Sequence, residues 1–301
     1  MNSCFLCPRN CGANRKEKEA GICGEYDTIR IARASLHMWE EPPISGERGS
    51  GTVFFTGCPL RCVFCQNHKI ADGTNGVPVT ADELAQIFLK LQDLGAHNIN
   101  LVTATHFVPG VIDALKEAKS KGLEIPILYN SSGYESVETL KLLKGLVDIY
   151  LPDFKYVSGE IAKRYSKAPD YFEVASKALE EMFSQVGSPI FDEDGLIKRG
   201  VVVRHLILPG YTDDSKAVID YLFNTYGDNI YISIMNQYTP LSAQLASFPE
   251  LDRTLTDAEY DEVVDFAVDL GVTNAFVQEG SAAAESFIPD FENWDKEAFL
   301  K

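Results

Sequence analysis

Three closely spaced cysteines could together hold an iron–sulfur cluster. Cys58, Cys62 and Cys65 have the spacing C-x3-C-x2-C, and the aromatic residue Phe64 directly precedes the last cysteine. Three thiolates on one loop can bind three irons of a [4Fe–4S] cluster, which leaves the fourth iron open to a substrate or cofactor. The alternative is a zinc site in which His68 supplies a fourth ligand. An incomplete ligand set favours catalysis, because a complete set of four would indicate electron transfer or structure.

Four further cysteines lie near the N-terminus, at Cys4, Cys7, Cys11 and Cys23. Four thiolates make a closed site, which suits structural zinc or a second iron–sulfur cluster, and we favour zinc. We interpret residues 1–45 as a small Cys-rich, metal-binding N-terminal module. A segment of this size buries too little apolar surface to fold without a metal or a neighbouring domain.

The composition excludes several classes of function. The chain has 301 residues, of which 45% are hydrophobic and 24% charged, as in a globular protein, and its formal net charge is −17. Such a charge repels phosphate backbones, so we expect no nucleic-acid partner. No stretch approaches the ~20 apolar residues of a membrane span, and the first residues lack the features of a signal peptide. We therefore expect no membrane partner and a cytoplasmic location, where cysteines stay reduced.

From residue 52 onward, short apolar runs alternate with amphipathic segments. The strand candidates are Thr52–Thr56, Ile99–Thr103, Ile125–Tyr129, Val147–Leu151, Val201–Ile207 and Ile230–Ile234. The helix candidates are Ala81–Leu94, Pro109–Lys121, Ser136–Lys144, Ser158–Ser166, Tyr171–Val186, Thr212–Tyr226 and Asp257–Leu270. This alternation predicts a parallel sheet with right-handed crossovers. We expect an α/β domain over residues 46–301, a partial (β/α)6 barrel with a C-terminal helical extension. A doubly wound sheet is the alternative.

Local signals support these bounds. Thr80 begins a capping box, and Thr256 is a candidate N-cap for the last helix. Residues 187–200 contain a turn signal, Asp-Glu-Asp-Gly, and are expected to form a surface hairpin.

Polar side chains cluster where the strand candidates end, and ligands of parallel sheets bind at such ends. The candidates are Thr103, Thr105 and His106 after the second strand, Asn130 and Ser132 after the third, Asp153 and Lys155 after the fourth, and Arg204 within the fifth. Several of them have an alternative structural role. His106 could be a satisfied buried histidine, the serine and asparagine could be turn residues, and the aspartate and lysine could form a plain ion pair.

The chain resembles the radical S-adenosylmethionine (SAM) enzymes, and within them the PflX-like branch of proteins related to pyruvate formate-lyase activating enzymes. The resemblance covers residues 4–290 and includes the cysteine loop with Gln66 and Asn67. Its other segments are CPRNCG at 7–12, EEPPISG at 40–46, TATHF at 103–107, YNSSGY at 129–134, PDFK at 152–155 and RHLILPG at 204–210.

The resemblance implies that SAM chelates the open iron and that an electron from the cluster cleaves it to a hydrogen-abstracting radical. Phe64 would flank the adenine, and Thr103 and Thr105 would accept from the methionine amine. Asn130 and Ser132 would bind the ribose or the carboxylate. The same resemblance implies that Lys155, held by Asp153, neutralises the SAM carboxylate. Arg204 lies in an apolar run and needs a partner, which the same carboxylate could supply, and His106 could face the substrate as an acid.

Three functions remain open at this point. The first is activation of a glycyl radical enzyme under anaerobic conditions, with flavodoxin or ferredoxin as electron donor. The second is a radical SAM enzyme that modifies a small molecule or a peptide side chain. The third is a non-enzymatic zinc-binding protein, which leaves the polar strand ends unexplained.

Overall fold

The computed structural model describes residues 3–241, 243–278 and 289–301, and within these ranges ten strands form one sheet. The strands are β1 (Arg30–His37), β2 (Ser50–Phe55), β3 (Val77–Pro78), β4 (Ile99–Val102), β5 (Ile127–Ser131), β6 (Ile149–Pro152), β7 (Ile190–Phe191), β8 (Ile197–Leu206), β9 (Tyr231–Met235) and β10 (Ala275–Val277). The helices are α1 (Pro42–Ser45), α2 (His68–Ala71), α3 (Ala81–Asp93), α4 (Val108–Ser120), α5 (Val137–Leu142), α6 (Gly159–Ser166), α7 (Tyr171–Val186), α8 (Thr212–Tyr226), α9 (Asp257–Leu270) and α10 (Lys296–Leu300).

The strand order identifies the architecture. Parallel neighbours follow one another as β2, β4, β5, β6, β8, β9 and β10, which is also their order along the chain. A doubly wound sheet reverses its strand order at a switch point, and this series of strands has no reversal. The α/β fold with a partial barrel is thus confirmed. The parallel series also includes the short β10, one strand more than the sequence predicted.

The sheet continues on its other side with antiparallel strands. β1 pairs with β2 from Ile31 opposite Phe55 to His37 opposite Ser50, and β3 pairs with β1. β1 therefore belongs to the sheet although it precedes residue 46. The boundary between the N-terminal module and the barrel stays a prediction. β7 pairs antiparallel with β8 and forms the expected hairpin.

Helices cover the parallel strands and bury an amphipathic face against them. In α3, the apolar residues Leu84, Ile87, Phe88 and Leu91 are all fully buried, at the spacing of one helix face. The capping box at its start is present, with Thr80 and Glu83 each accepting from the other's backbone N–H at 3.1 and 2.8 Å. The equivalent box at Thr256 opens α9.

One strand differs from its predicted bounds in a way that matters for function. β5 begins at Ile127 and continues through Ser131, two residues beyond the expected end at Tyr129. Asn130 and Ser131 are therefore strand residues fixed by the ladder, which is not the turn that the sequence offered as their alternative role. None of the described helices is long and apolar enough to cross a membrane.

Candidate active site

A cleft opens where the parallel strands end, as expected for this architecture. Its lining includes the cysteines of the loop after β2 and polar side chains from β5, β6 and β8 and the segments that follow them. Of the sequence candidates, Cys58, Cys62, Cys65, Phe64, Thr103, Asn130, Ser132, Asp153, Lys155 and Arg204 all line this cleft. The structure therefore brings together residues that lie up to 146 positions apart in the sequence.

The cysteine loop begins with a glycine that a larger residue could not replace. Gly57 has a φ of +76°, and a Cβ there would lie 2.7 Å from the carbonyl oxygen of Cys23. The next residue, Cys58, donates its backbone N–H to that same carbonyl at 3.2 Å. At the other end of the loop, Val63 donates its N–H to the carbonyl of Tyr165 at 2.9 Å. Both ends of the loop are thus held by neighbouring segments.

Burial determines the ionisation of the cleft cysteines. It raises the thiol pKa of Cys58, Cys62 and Cys65 above the usual value, while the nearby ammonium of Lys155 acts in the opposite direction. Without a cation the three sulfurs would be neutral thiols. Positively charged iron stabilises thiolates in such a setting, because a coordinated thiol loses its proton.

The donor set of the loop fits a cluster better than a single ion. In the parts of the chain that the structure describes, no three histidine, cysteine, aspartate or glutamate side chains converge on one metal position. Each cysteine of a [4Fe–4S] cluster binds a different iron, so its ligands surround a cluster and need not converge. The loop therefore fits the cluster, and among the described residues no group of donors for a single zinc ion is found at either set of cysteines.

Opposite the cysteines, the cleft carries a network of buried charges. The guanidinium of Arg204 contacts a carboxylate oxygen of Glu40 at 3.0 Å, Oδ1 of Asn130 at 2.6 Å and Oδ1 of Asp153 at 3.3 Å. Asp153 also accepts from Nζ of Lys155 at 2.7 Å. Burial alone would raise the pKa of Asp153, but the two cations outweigh it and hold this pKa below its ordinary value.

The two cations of this network differ in the number of oxygen atoms that already surround them: three near Arg204 and one near Lys155. Arg204 donates to Glu40 through Nη1 and to Asn130 through Nη2, and its Nε lies 3.3 Å from Oδ1 of Asp153 without a hydrogen bond. Lys155 donates one of the three N–H groups of its ammonium to Asp153, so two remain that can donate to an anion in the cleft. Burial lowers the pKa of Lys155, yet Asp153 more than compensates, so this pKa is raised and the charge is retained.

Two of the sequence candidates are not among the cleft-lining residues. His106 is 2% exposed, and its Nε2 lies 2.7 Å from the carbonyl oxygen of Thr56. Burial lowers its pKa to about 3, so the ring is neutral and donates to that carbonyl. Thr105 is also buried, and its hydroxyl donates to the carboxylate of Glu135 at 2.6 Å. The structure thus places both side chains in structural hydrogen bonds, and their proposed contacts with SAM or substrate find no support in this arrangement.

Phe64 lies in the cleft wall and is 5% exposed. Its ring packs against Tyr238 and Tyr156, with centroids 6.1 and 6.5 Å away. Packing therefore fixes the ring, and its exposed edge is available to flank a bound group.

Further residues of the cleft come from the end of β1 and the segment that follows it. Glu40 is the partner of Arg204, and His37 and Trp39 line the same side of the cleft. Burial lowers the pKa of His37 to about 4, so this imidazole is neutral. Gln66 reaches across the cleft and donates to the carbonyl of Gln237 at 2.6 Å. The sequence shows the acidic pair at residues 40–41 as part of the EEPPISG segment, but it does not show that Glu40 pairs with Arg204, 164 residues away.

The N-terminal cysteine segment packs directly behind the cysteine loop. Arg9 donates to the carbonyls of Pro59 at 2.9 Å and Leu60 at 3.4 Å in that loop, and to those of Ser166 at 2.8 Å and Lys167 at 2.5 Å at the end of α6. One side chain thus fastens the loop to the end of a helix. The group of four cysteines remains a predicted metal site.

Comparison with known proteins now identifies the family. The family profile described as the radical SAM superfamily matches residues 52–222, more than half of the chain. The chain belongs to the radical SAM superfamily. Membership implies that the protein binds a [4Fe–4S] cluster and SAM. The residues suited to hold both groups are those that line the cleft. Within the superfamily the protein is PflX-like.

Two relatives of known sequence extend the match. An uncharacterised protein of Methanocaldococcus jannaschii is 31% identical over 275 residues, which covers 89% of this chain and 75% of the relative. The pyruvate formate-lyase-activating enzyme of Clostridium pasteurianum is 29% identical over 175 residues, which covers 55% of this chain and 65% of that enzyme.

Solved structures show the same fold. HydG, a maturase of the [FeFe]-hydrogenase, superposes with a TM-score of 0.51 at 15% identity, over 73% of this chain and 49% of HydG. Streptococcus suis SuiB bound to its precursor peptide SuiA gives a TM-score of 0.50 at 11% identity, over 80% of this chain and 51% of SuiB. The chain thus spans about half the length of these two proteins.

Proposed function

We propose that this radical SAM enzyme abstracts hydrogen from a polypeptide and acts as an activase of a glycyl radical enzyme. The similarity to the Clostridium pasteurianum activating enzyme supports this choice of substrate. The main observation in favour of a polypeptide substrate is the exposed apolar surface at the mouth of the cleft. Trp39 lines the mouth and is 57% exposed, and Met38 and Val277 beside it are 43% and 51% exposed. Adjoining exposed apolar side chains at a cleft favour binding of a polypeptide segment.

The residues of the cleft have separate roles in this proposal. When bound, the cluster and SAM supply the electron and the radical that removes hydrogen from the substrate. Cys58, Cys62 and Cys65 hold the cluster, and Lys155 donates to the carboxylate of SAM. Asp153 orients Lys155, and the wall around Phe64 excludes water from the reacting atoms.

The first experiment tests the cluster and the cleavage of SAM. Protein reconstituted without air is expected to show [4Fe–4S] absorbance, an EPR signal on reduction that changes with SAM, and release of 5′-deoxyadenosine. Replacing Cys58, Cys62 and Cys65 together by alanine removes the thiolates and should abolish all three. A triple variant that keeps its cluster and cleaves SAM would refute the assignment of the loop.

The second experiment tests the polypeptide substrate. A glycyl radical enzyme from the same organism, mixed with the reduced protein and SAM, should develop the EPR doublet of a glycyl radical. Trp39→Ala should slow this reaction about 10-fold or more by removing apolar contact area, as expected for a large aromatic at an interface. Its cleavage of SAM without substrate should stay unchanged. Leu94→Ala, which removes a residue 48% exposed at the end of α3, is the control.

If the glycyl radical enzyme stays diamagnetic while SAM is still cleaved, the activase role is wrong. The protein would then modify a peptide side chain or a small molecule. An electron donor such as flavodoxin or ferredoxin is required in either case, and titanium citrate can replace it in the assay.

Elemental analysis addresses the remaining four cysteines. The triple variant at the cleft leaves Cys4, Cys7, Cys11 and Cys23 as the thiols available to a metal. About one zinc per chain would support the structural zinc predicted from the closed ligand set. About four irons would instead make this group a second cluster.

A further inference from the structure

A serine hydroxyl contacts one of the cluster cysteines. Ser166 is the last residue of α6 and is fully buried, and its Oγ lies 3.0 Å from Sγ of Cys62. On its other side, the same Oγ lies 2.8 Å from the hydroxyl of Tyr156, which is 1% exposed. Tyrosine, serine and cysteine thus form a buried chain of two hydrogen bonds that ends on a cluster ligand.

The direction of both hydrogen bonds follows from the state of the cysteine. A thiolate that binds iron carries no proton, so it can only accept. The hydroxyl of Ser166 must therefore donate to Cys62, and its oxygen is then free to accept from Tyr156. The chain is polarised toward the sulfur at each step, which strengthens the last hydrogen bond.

The ordinary role of a serine at a helix end does not account for this contact. Such a hydroxyl usually bonds to the carbonyl four residues earlier, which here is that of Ala162. That carbonyl already accepts the backbone N–H groups of Lys167 and Ala168. Meanwhile Arg9 holds the backbone carbonyl of Ser166 at 2.8 Å. The serine is therefore fixed in place with its hydroxyl on the sulfur.

We propose that Ser166, oriented by Tyr156, raises the reduction potential of the cluster. A hydrogen bond to a cysteine sulfur stabilises the added negative charge of the reduced cluster, and such bonds help to set the potential of iron–sulfur centres. In the step concerned, one electron passes from an external donor to the cluster, and the proton stays on the serine oxygen. Ser166 acts through Cys62 and is a positioning residue. The inference rests on the cluster assignment made above.

The test is the midpoint potential of the reconstituted cluster, followed by EPR in a redox titration without air. Ser166→Ala should shift the midpoint to more negative values at unchanged iron content. Tyr156→Phe leaves the serine in place but removes its donor, so the shift should have the same sign and be smaller. Ser166→Thr keeps a hydroxyl and should restore most of the potential.

Resonance Raman spectra give a second readout that a purely structural role would not change. In D₂O, iron–sulfur(cysteine) bands of the parent should shift, and part of this shift should be missing in Ser166→Ala. The control is Ser215→Ala, which removes another buried serine hydroxyl, one that bonds to the carbonyl of Tyr211. It should leave both readouts unchanged.

The outcomes separate this inference from the proposed function. If the parent protein assembles no [4Fe–4S] cluster, the function itself is wrong. If the cluster assembles and Ser166→Ala keeps the parental midpoint potential and the parental D₂O shift, the tuning role is wrong. If Ser166→Ala does not retain iron, Tyr156→Phe decides, and an unchanged potential in that variant overturns the proposal.

Discussion

Arg204 lies at the centre of the charged side of the cleft, where Glu40, Asn130 and Asp153 surround its guanidinium. Removing one member of a buried charge network leaves the others unpaired, which typically costs about 3–5 kcal/mol. Arg204→Ala should therefore lower the free energy of unfolding by about 3 kcal/mol or more, measured by urea denaturation. Arg199→Ala, on an exposed part of the same strand, should change it little. Equal effects of the two substitutions would contradict the network.

Lys155 donates one of its three N–H groups to Asp153, so its ammonium keeps donors for a ligand. Lys155→Met should weaken SAM binding ~30-fold or more, since loss of a desolvated charge partner costs ~2–5 kcal/mol. Titration calorimetry of the reconstituted protein with SAM measures the effect. The exposed Lys163 provides the control, as Lys163→Met should bind SAM like the parent. Parental affinity in Lys155→Met would show that another residue binds the carboxylate.

Glu135 should make stability depend on pH. Burial raises its pKa from 4.5 to about 7, despite hydrogen bonds from Thr105 and Tyr129 that act in the opposite direction. The folded state thus holds a proton that the unfolded chain releases near pH 4.5. The resulting stability is complete below pH 4.5 and is lost as the pH rises toward 7, by about 3 kcal/mol. Urea denaturation at pH 5 and pH 8 measures this loss.

Glu135→Gln is the matched variant, because it keeps the shape but cannot ionise. It should remove that share of the pH dependence while keeping the acceptor for Thr105. A variant with the same loss of stability between pH 5 and pH 8 as the parent would exclude Glu135 as the cause.

At the scale of the elements, helix caps give a direct test of the fold. Thr80 accepts from the backbone of Glu83, and Thr80→Ala should cost about 1 kcal/mol in the free energy of unfolding. Ser136 occupies the N-cap of α5 without such a side-chain bond, so Ser136→Ala should cost much less. Denaturation curves of the two variants measure the difference. Equal costs would show that the box does not stabilise α3.

The helices and strands could be predicted from the sequence where the hydrophobic periodicity was strong. The polar residues of the cleft could be predicted where they follow the end of a strand. The bounds of α7 and α8 agree with the prediction residue for residue. The strand β1 was missed because it pairs antiparallel at the side of a barrel and precedes the alternating pattern. Two local patterns left the role of their residues open. Thr105 and His106 follow a strand, but the turn after β4 directs them into buried hydrogen bonds, which depend on segments distant in the sequence.

At the scale of the whole molecule, the N-terminal segment and the barrel are joined at the cysteine loop. Arg9 donates to four backbone carbonyls on two elements, so Arg9→Ala should loosen the loop. We expect faster loss of iron to a chelator at unchanged initial iron content, measured by the decay of cluster absorbance. Lys16→Ala, an exposed change in the same segment, should decay like the parent. Identical decay of Arg9→Ala would show that the loop is held by its other contacts.

The span of this clamp also affects when the enzyme can mature during synthesis. A ribosome completes Arg9 early, but one of its partners, Ser166, follows 157 residues later. The cysteine loop is complete at Cys65, so at ~5–20 residues per second roughly 5–20 s pass before Ser166 is added and the loop can be fastened. Iron that arrives in this interval meets thiols without their final support. Cluster loading is therefore expected to begin after more than half of the chain has been translated.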